Sequence, residues 1–199
     1  RLWLGGSNGL ISYNATRGFM PDNTADVAWY RQNSLTHHMS HNRVRRVYSD
    51  RDGTVIICTD HGLNIYNPAT RQMRNIIVTD RSRRYSTAWA YDIVDDGKGR
   101  YWMSSYMGGV FVVDKHKLLA APTPAIIADR HYLKELQGIH VSQLVADGRG
   151  YVWVRMYNSG LDRINLRTMK VEHIVGKDNK INNICADRKG NLWVAMQRE

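Results

Sequence analysis

The hydrophobic pattern of the chain repeats. Residues 181–194 read Ile-Asn-Asn-Ile-Cys-Ala-Asp-Arg-Lys-Gly-Asn-Leu-Trp-Val: two apolar positions three apart, then Asp-x-x-Gly, then an apolar triplet centred on Trp193. The same order returns at 141–154, at 90–103 and at 44–57, where Ile56 stands at the Trp position. Leu2-Trp3-Leu4 is the tail of one more copy. Each copy predicts strand, tight turn, strand. An Asp at the first turn position bonds the backbone two residues on, and Gly tolerates positive φ; Asp50, Asp96, Asp147 and Asp187 each precede a Gly by three residues. Gly9, Gly62, Gly109 and Gly160 follow the Trp position by six or seven residues and close a second turn. Third strands are predicted at 10–14, 63–67, 110–114 and 161–165. A third turn, such as Asn67-Pro68-Ala69-Thr70, leads to looser fourth strands such as 73–78 and 171–175.

The triplets Val152-Trp153-Val154 and Leu192-Trp193-Val194 are apolar on both faces, so both faces are covered. Four-stranded antiparallel units sandwiched between neighbours make a β-propeller. The Trp positions 3, 56, 102, 153 and 193 are spaced 53, 46, 51 and 40 residues apart. That spacing suits blades of roughly 40 to 50 residues; a stacked solenoid of hairpins is the structural alternative. The expectation is an all-β propeller of four-stranded antiparallel blades, about four of them, near 1–30, 44–79, 90–128, 141–175 and 181–196. In the opening blade, 1–20 is expected to supply three strands and 24–30 an outer strand or a connection. The chain starts and stops inside strands, which reads as a partial ring of something larger. A closed four-bladed ring, with 181–186 completing the opening blade, is the other arrangement. Pro122-Thr123-Pro124 breaks the outer part of the third blade, and 132–136 is expected to form a short helical turn.

These residues resemble the two-component regulator propeller repeat, V-x-x-I-x-x-D-x-x-G-x-L-W-I-G-T-x-x-G-L-x-x-Y-(D/N). Residues 44–67 follow it closely, and Leu2-Trp3-Leu4-Gly5-Gly6-Ser7-Asn8-Gly9-Leu10 follows its second half. Asn33-Ser34-Leu35 and Ser40-His41-Asn42-Arg43-Val44 look like the family's linker into a first strand. The departures are Ile56 for Trp, Ser104 and Arg155 where Gly is usual, and an enlarged segment from 116 to 138. The resemblance implies a propeller of about seven blades in the periplasmic sensor region of a Bacteroides-type hybrid two-component histidine kinase. Its membrane span, kinase core and phosphorelay lie in other parts of the parent. It also implies carbohydrate sensing: detection of polysaccharide breakdown products by a homodimeric sensor.

Charge changes the picture further. The 199 residues carry 28 Lys+Arg against 18 Asp+Glu, a net charge of +10. No apolar run approaches the ~18 residues of a membrane span. Cations and tyrosines gather in two kinds of connection that open on one face of a propeller. Those from fourth strand to next first strand hold His41 and Arg43, then Arg81, Arg83, Arg84 and Tyr85, then Arg130-His131-Tyr132 and 177–180. Those from second to third strand hold Asp60-His61, Tyr106-Met107 and Tyr157-Asn158, with Arg155 just before. Arg suits bidentate recognition of carboxylate or sulfate, and aromatic rings suit stacking. The ligand-binding candidates are therefore His41, Arg43, His61, Arg81, Arg83, Arg84, Tyr85, Tyr106, Arg155, Tyr157 and Asn158, weighed against a merely basic surface. Trp29 is read as packing rather than sugar stacking.

His37, His38 and His41 have no Cys or acidic companion, so a polar loop is preferred to a metal site. The Asp-x-x-Gly turns lack the alternating ligands and closing Glu of a calcium loop. No P-loop, GxSxG, HExxH or CxxC occurs, and no carboxylate pair for glycoside cleavage stands out. Catalytic residues, cofactor and nucleic-acid partner are expected to be absent from this stretch. Cys58 and Cys185 are read as buried, unbridged hydrophobes on strands of different blades. The alternatives in function are a propeller lyase or hydrolase resembling streptogramin lyases, drawing on His41, His61, His131 or His140, and a protein-interaction scaffold.

Overall fold

The computed structural model describes residues 1–18, 24–35 and 38–197. Its strands are β1 (Leu2–Gly6), β2 (Gly9–Tyr13), β3 (Val27–Tyr30), β4 (Val44–Ser49), β5 (Val55–Thr59), β6 (Gly62–Asn67), β7 (Gln72–Thr79), β8 (Ala90–Asp95), β9 (Arg100–Ser105) and β10 (Gly109–Asp114). After helix α1 (Lys115–Ala120) come β11 (Ala125–Ile127), β12 (Arg130–Tyr132), β13 (Val141–Ala146), β14 (Tyr151–Met156), β15 (Leu161–Asn165), β16 (Val171–Val175), β17 (Ile181–Ala186) and β18 (Leu192–Met196). They form five sheets in chain order: β1-β2-β3, then β4 to β7 with β11 added, then β8-β9-β10-β12, then β13 to β16, then β17-β18. Within each sheet neighbouring strands are antiparallel, except that β11 runs parallel to β7.

Both faces of the middle sheets are buried, as the apolar triplets require. From β9, Tyr101 and Met103 pack back onto Ile56, Leu63 and Ile76 of the second sheet. Trp102, between them, packs forward onto Val152, Val154 and Ile164 of the fourth. Trp3 and Ile56 likewise face the next sheet, and Trp153 packs forward on Ile184 and Leu192. Trp193 points where no sheet of the described residues covers it and is 65% exposed. β17 pairs with β18 and not with β1, so the arrangement in which 181–186 completes the opening blade is not adopted. The described residues form successive blades of a propeller.

Several local expectations change. Residues 1–18 supply two strands rather than three, and the opening blade's outer strand is β3; part of the interval, 19–23, lies outside the described residues. The helix falls at 115–120, not at 132–136. Asp114 caps it by accepting the Lys117 amide, Leu118 is buried, and Arg74 reaches from β7 to the carbonyls of Leu118, Leu119 and Ala121 at its other end. These are the carbonyls a helix leaves open, and a cation belongs beside them. Tyr132 instead ends β12, fully buried, its ring stacked 5.7 Å from Trp102 and its hydroxyl donating to Met169 O. Residues 125–127, placed in the third blade by sequence, cross back to the edge of the second. Cys58 is buried, and burial pushes its thiol up. Cys185 is exposed, contrary to expectation, because the outer side of β17 has no neighbour.

The repeated Asp does two jobs. In Asp147 one oxygen accepts the amides of Arg149 and Tyr151, as the turn predicts; the other accepts the indole N–H of Trp153 at 3.0 Å. Asp96 and Trp102, and Asp187 and Trp193, repeat the bond at 2.9 and 3.1 Å. Burial works against the Asp96 carboxylate, but Trp102, the Lys98 amide and Arg100 hold it below the usual range. Where Ile56 replaces Trp, Asp50 bonds Tyr101 and Lys115 of the next blade. We expect Trp102→Phe, which loses the N–H and the five-membered ring of the buried indole, to cost about 2.5 kcal/mol. Trp102→Ala should cost about 4 kcal/mol, and Trp193→Phe under about 0.5 kcal/mol, as befits a surface position. Urea midpoints at unchanged m-value measure all three; equal losses at 102 and 193 would refute the ordering.

Candidate functional site

The two kinds of connection named by sequence are tied together by backbone. In each of four blades, the residue just after the second strand donates to the carbonyl just before the first strand. These bonds are Asp60 N to Arg43 O, Tyr106 N to Trp89 O, Tyr157 N to His140 O, and Gln197 N to Lys180 O. The glycine closing the loop between second and third strands has no substitute. Gly109 (φ +71) and Gly160 (φ +77) are left-handed, and a Cβ on either would sit within 2.2 Å of an outer-strand carbonyl. Each first strand carries a β-bulge at its second residue. Those residues, Arg45, Tyr91, Ser142 and Asn182, stand beside the loops; bulges re-aim side chains in this way.

The result is a column of stacked groups across the loop-bearing face. The Arg45 guanidinium lies 4.6 Å over the Tyr91 ring. Tyr91 stacks on Tyr106 at 5.2 Å, and Tyr106 on His140 at 4.6 Å. Asp60 anchors the cationic end: Arg45 donates to both of its oxygens, at 2.6 and 2.9 Å, which raises the Arg45 pKa despite partial burial. Both faces of Tyr106 are thus occupied, so its ring is not a free platform. Two exposed rings flank the column. Trp89, 48% exposed, tilts against Tyr106 at 5.7 Å, and Tyr157, 55% exposed, follows the bond to His140. Met107 and Ile139 are exposed beside them.

Residues 80–85 form a closed loop next to Trp89. Asp80 N donates to Tyr85 O, and the Asp80 carboxylate accepts from the Tyr85 amide and from the Ser82 amide and hydroxyl. Slight burial opposes ionisation, but these donors hold the carboxyl down at about 2. Arg84 and Tyr85 join Ser86, Trp89, Met107 and Gly108 around a cavity of about 230 Å³.

Of the sequence candidates, Arg81, Arg83, Arg84, Tyr85, Tyr106, Tyr157 and Asn158 therefore share this rim. Arg43 joins it at the edge, 3.6 Å from Asp60. His41 accepts the Arg43 amide and shapes the turn. His61 stands apart, lining a separate 270 Å³ cavity with His38, Asn64 and Asn75. Arg155 is turned inward: one guanidinium nitrogen donates to Ile181 O at 2.6 Å, Nε is buried without a partner, and burial lowers its pKa. Sequence reasoning missed Arg45, Trp89 and Tyr91, and weighed His140 only as a catalytic group. The second position of each first strand was the signal for Arg45 and Tyr91.

None of His41, His61, His131 or His140 pairs with an acid among the described residues. The His–carboxylate pair there is His173 with Asp162, 2.7 Å apart on outer strands. No group of three His, Cys, Asp or Glu is placed to hold a metal among the described residues, and His37 lies outside them. Trp29 is 46% exposed with Arg31 4.4 Å over its ring.

The fold and this face define a propeller with a basic, aromatic loop rim. The family model described as two component regulator propeller matches residues 176–198, and the chain carries that repeat. Among solved structures it is similar to the extracellular domain of BT4673 of B. thetaiotaomicron, described once as a one component and once as a hybrid two component system. The identity is 37% and the TM-score 0.88, over 98% of this chain and 27% or 26% of the other. The extracellular domain of the hybrid two component system BT3049 of the same organism shares the fold, at 21% identity and TM-score 0.71, over 96% of this chain and 25% of that one. The chain thus spans about a quarter of these relatives' length. No curated protein matches it, and no helix among the described residues is long and apolar enough to cross a membrane.

The Asp80 carboxyl gives a pH prediction. Its folded pKa lies below the unfolded value of about 3.9, so its stabilisation is complete above that value and is lost as pH falls toward about 2. Carbon-detected NMR titration should place its midpoint near 2; a midpoint near 4 would mean that the loop bonds are not held in solution.

Proposed function

We propose that this chain belongs to the periplasmic sensor region of a hybrid two-component histidine kinase and that its loop rim takes an oligosaccharide. The observation that carries the ligand reading is the pair of exposed rings, Trp89 and Tyr157, held on either side of a rigid polar column. An apolar surface with a few fixed polar groups is what a small-molecule site offers. Here the column presents ring edges, Arg45 supplies donors and Met107 and Ile139 extend the apolar contact. The sensor reading is supported by the similarity to the BT4673 extracellular domain, a domain of such a system. The net charge of +10 extends the ligand class to acidic saccharides.

Signalling follows from differential affinity. The rim draws on three consecutive blades, so a ligand lying across it binds best in one relative setting of those blades. That preference shifts the population of signalling and resting states in a homodimeric parent, whose span and kinase core lie elsewhere.

Calorimetric titration with neutral and acidic oligosaccharides tests the site. Trp89→Ala and Tyr157→Ala should each weaken binding about threefold to tenfold, roughly 1 kcal/mol, while Trp29→Ala leaves it unchanged. Binding that ignores both rim substitutions would remove the site from this face. Conversion of the sugar on long incubation would move the reading to an enzyme.

A further inference from the structure

Three exposed arginines, Arg81, Arg83 and Arg84, share one loop of the rim. None of them forms an ion pair among the described residues. The one carboxylate of their loop, Asp80, is occupied by backbone and Ser82 donors. The loop is also shaped rather than slack. Arg83 sits at φ +58, its amide donates to Asp80 O at 3.0 Å, and Tyr85 closes the ring of bonds. Arg84 lies 5.8 Å from the Tyr85 ring and lines the 230 Å³ cavity whose apolar wall is Trp89 and Met107.

The geometry points to an anion subsite: the loop at 80–85 reads a carboxylate or sulfate on a saccharide whose ring lies against Trp89 and Met107. This rests on the reading of the rim as a saccharide site and adds its polarity, with the acidic end at the third blade. Guanidinium is the group that meets carboxylate and sulfate through paired N–H donors. Three arginines against the single Asp80 leave the loop net positive, and beside an apolar wall that distinguishes an acidic sugar from a neutral one of the same shape. A pocket confined to one loop and one blade does not offer the extended basic track that a nucleic-acid backbone needs.

The test uses this chain, trigalacturonic acid, galactotriose as neutral counterpart, a sulfated chondroitin tetrasaccharide and a short single-stranded DNA, titrated at near-physiological salt. The variant is Arg81→Gln/Arg83→Gln/Arg84→Gln, which leaves Asp80 and the loop bonds in place; a thermal melt checks that it is folded. Expected is a loss of at least about tenfold for the preferred acid and less than about twofold for galactotriose, with Trp89→Ala weakening both. Carboxylate and sulfate are told apart by which acid loses more. The subsite falls, and the saccharide site stands, if the triple variant binds the acids as well as the native chain while Trp89→Ala still matters. It falls equally if DNA binds as tightly as the acids and every affinity vanishes at high salt, since unspecific attraction is screened. If the native chain binds none of the saccharides, both readings fall.

Discussion

The indole–carboxylate bond is the interaction on which the blade depends. A strand buried on both faces leaves little room for a polar atom, yet a Trp at the repeat position, such as the fully buried Trp102, brings an N–H into that layer. Placing the turn's Asp six residues earlier satisfies it across the hairpin, in Asp96–Trp102, Asp147–Trp153 and Asp187–Trp193. The same carboxylate orders the turn through backbone amides, so one side chain fixes both turn and packing. The exception supports the reading. With Ile56 the indole is gone, and Asp50 is met from the neighbouring blade by the Tyr101 hydroxyl and by Lys115, which also bridges to Asp95. Desolvation and these carboxylates raise the Tyr101 pKa, so the phenol stays a donor.

Blades are joined near the axis by a second polar device. After the bulge, each first strand presents a polar residue that reaches the next first strand. Arg46 meets Asp92 at 3.1 Å, Asp92 accepts the Leu144 amide at 2.9 Å, and Gln143 both accepts from Ile184 N and donates to Ile184 O. Asp92 is 3% exposed, and burial pushes its pKa up against the pull of Arg46 and the Leu144 amide. An amide side chain at 143 imitates a peptide group, and a carboxylate at 92 needs a cation. The inner seam is therefore specified by its polar residues as well as by the apolar clusters between sheets. That seam sets where Tyr91 sits relative to Arg45, and hence the geometry of the rim.

The fold was readable because the repeat has a period, and a period survives local exceptions. The third blade's tail was not, because its strand order is decided by tertiary contact: 125–127 pairs with β7, and α1 exists where Asp114 and Arg74 cap it. The crossover and the Arg74 contact have no local signature, Asp114 alone is a readable helix start, and a Pro-Thr-Pro break predicts only that the strand stops. The rim was half readable. Loop position identified Arg81 to Tyr85, Tyr106 and Tyr157, but composition cannot tell a free ring from a covered one. Tyr106 is sandwiched and Trp89 is open, although both stand beside the same face. Arg155 shows the opposite failure: a charged residue at a loop edge was read as facing ligand, and its backbone partner in the next blade turns it inward.

The excess of positive charge is set by composition, 28 Lys+Arg against 18 Asp+Glu, and the scaffold also engages many of its acids. Asp96, Asp147 and Asp187 are engaged by turns and indoles, Asp60 by Arg45, Asp162 by Gln137 and His173, and Asp80 by its own loop. A carboxylate occupied by backbone N–H groups keeps its charge but has fewer lone pairs open to a guanidinium; Asp96 still accepts Arg100 at 2.6 Å. Among the described residues, cations without an ion pair stand both in the repeat's own turns, as Arg51, Lys98, Arg149 and Arg188 do, and in the connections that vary from blade to blade, as Arg81, Arg83 and Arg84 do. Conformational requirements concentrate in the strands and turns, and chemical freedom concentrates in the loops they display. Arg81, Arg83 and Arg84 fall at the same end of the same blade as the exposed Trp89 ring, and that coincidence, rather than the net charge alone, gives the rim its polarity.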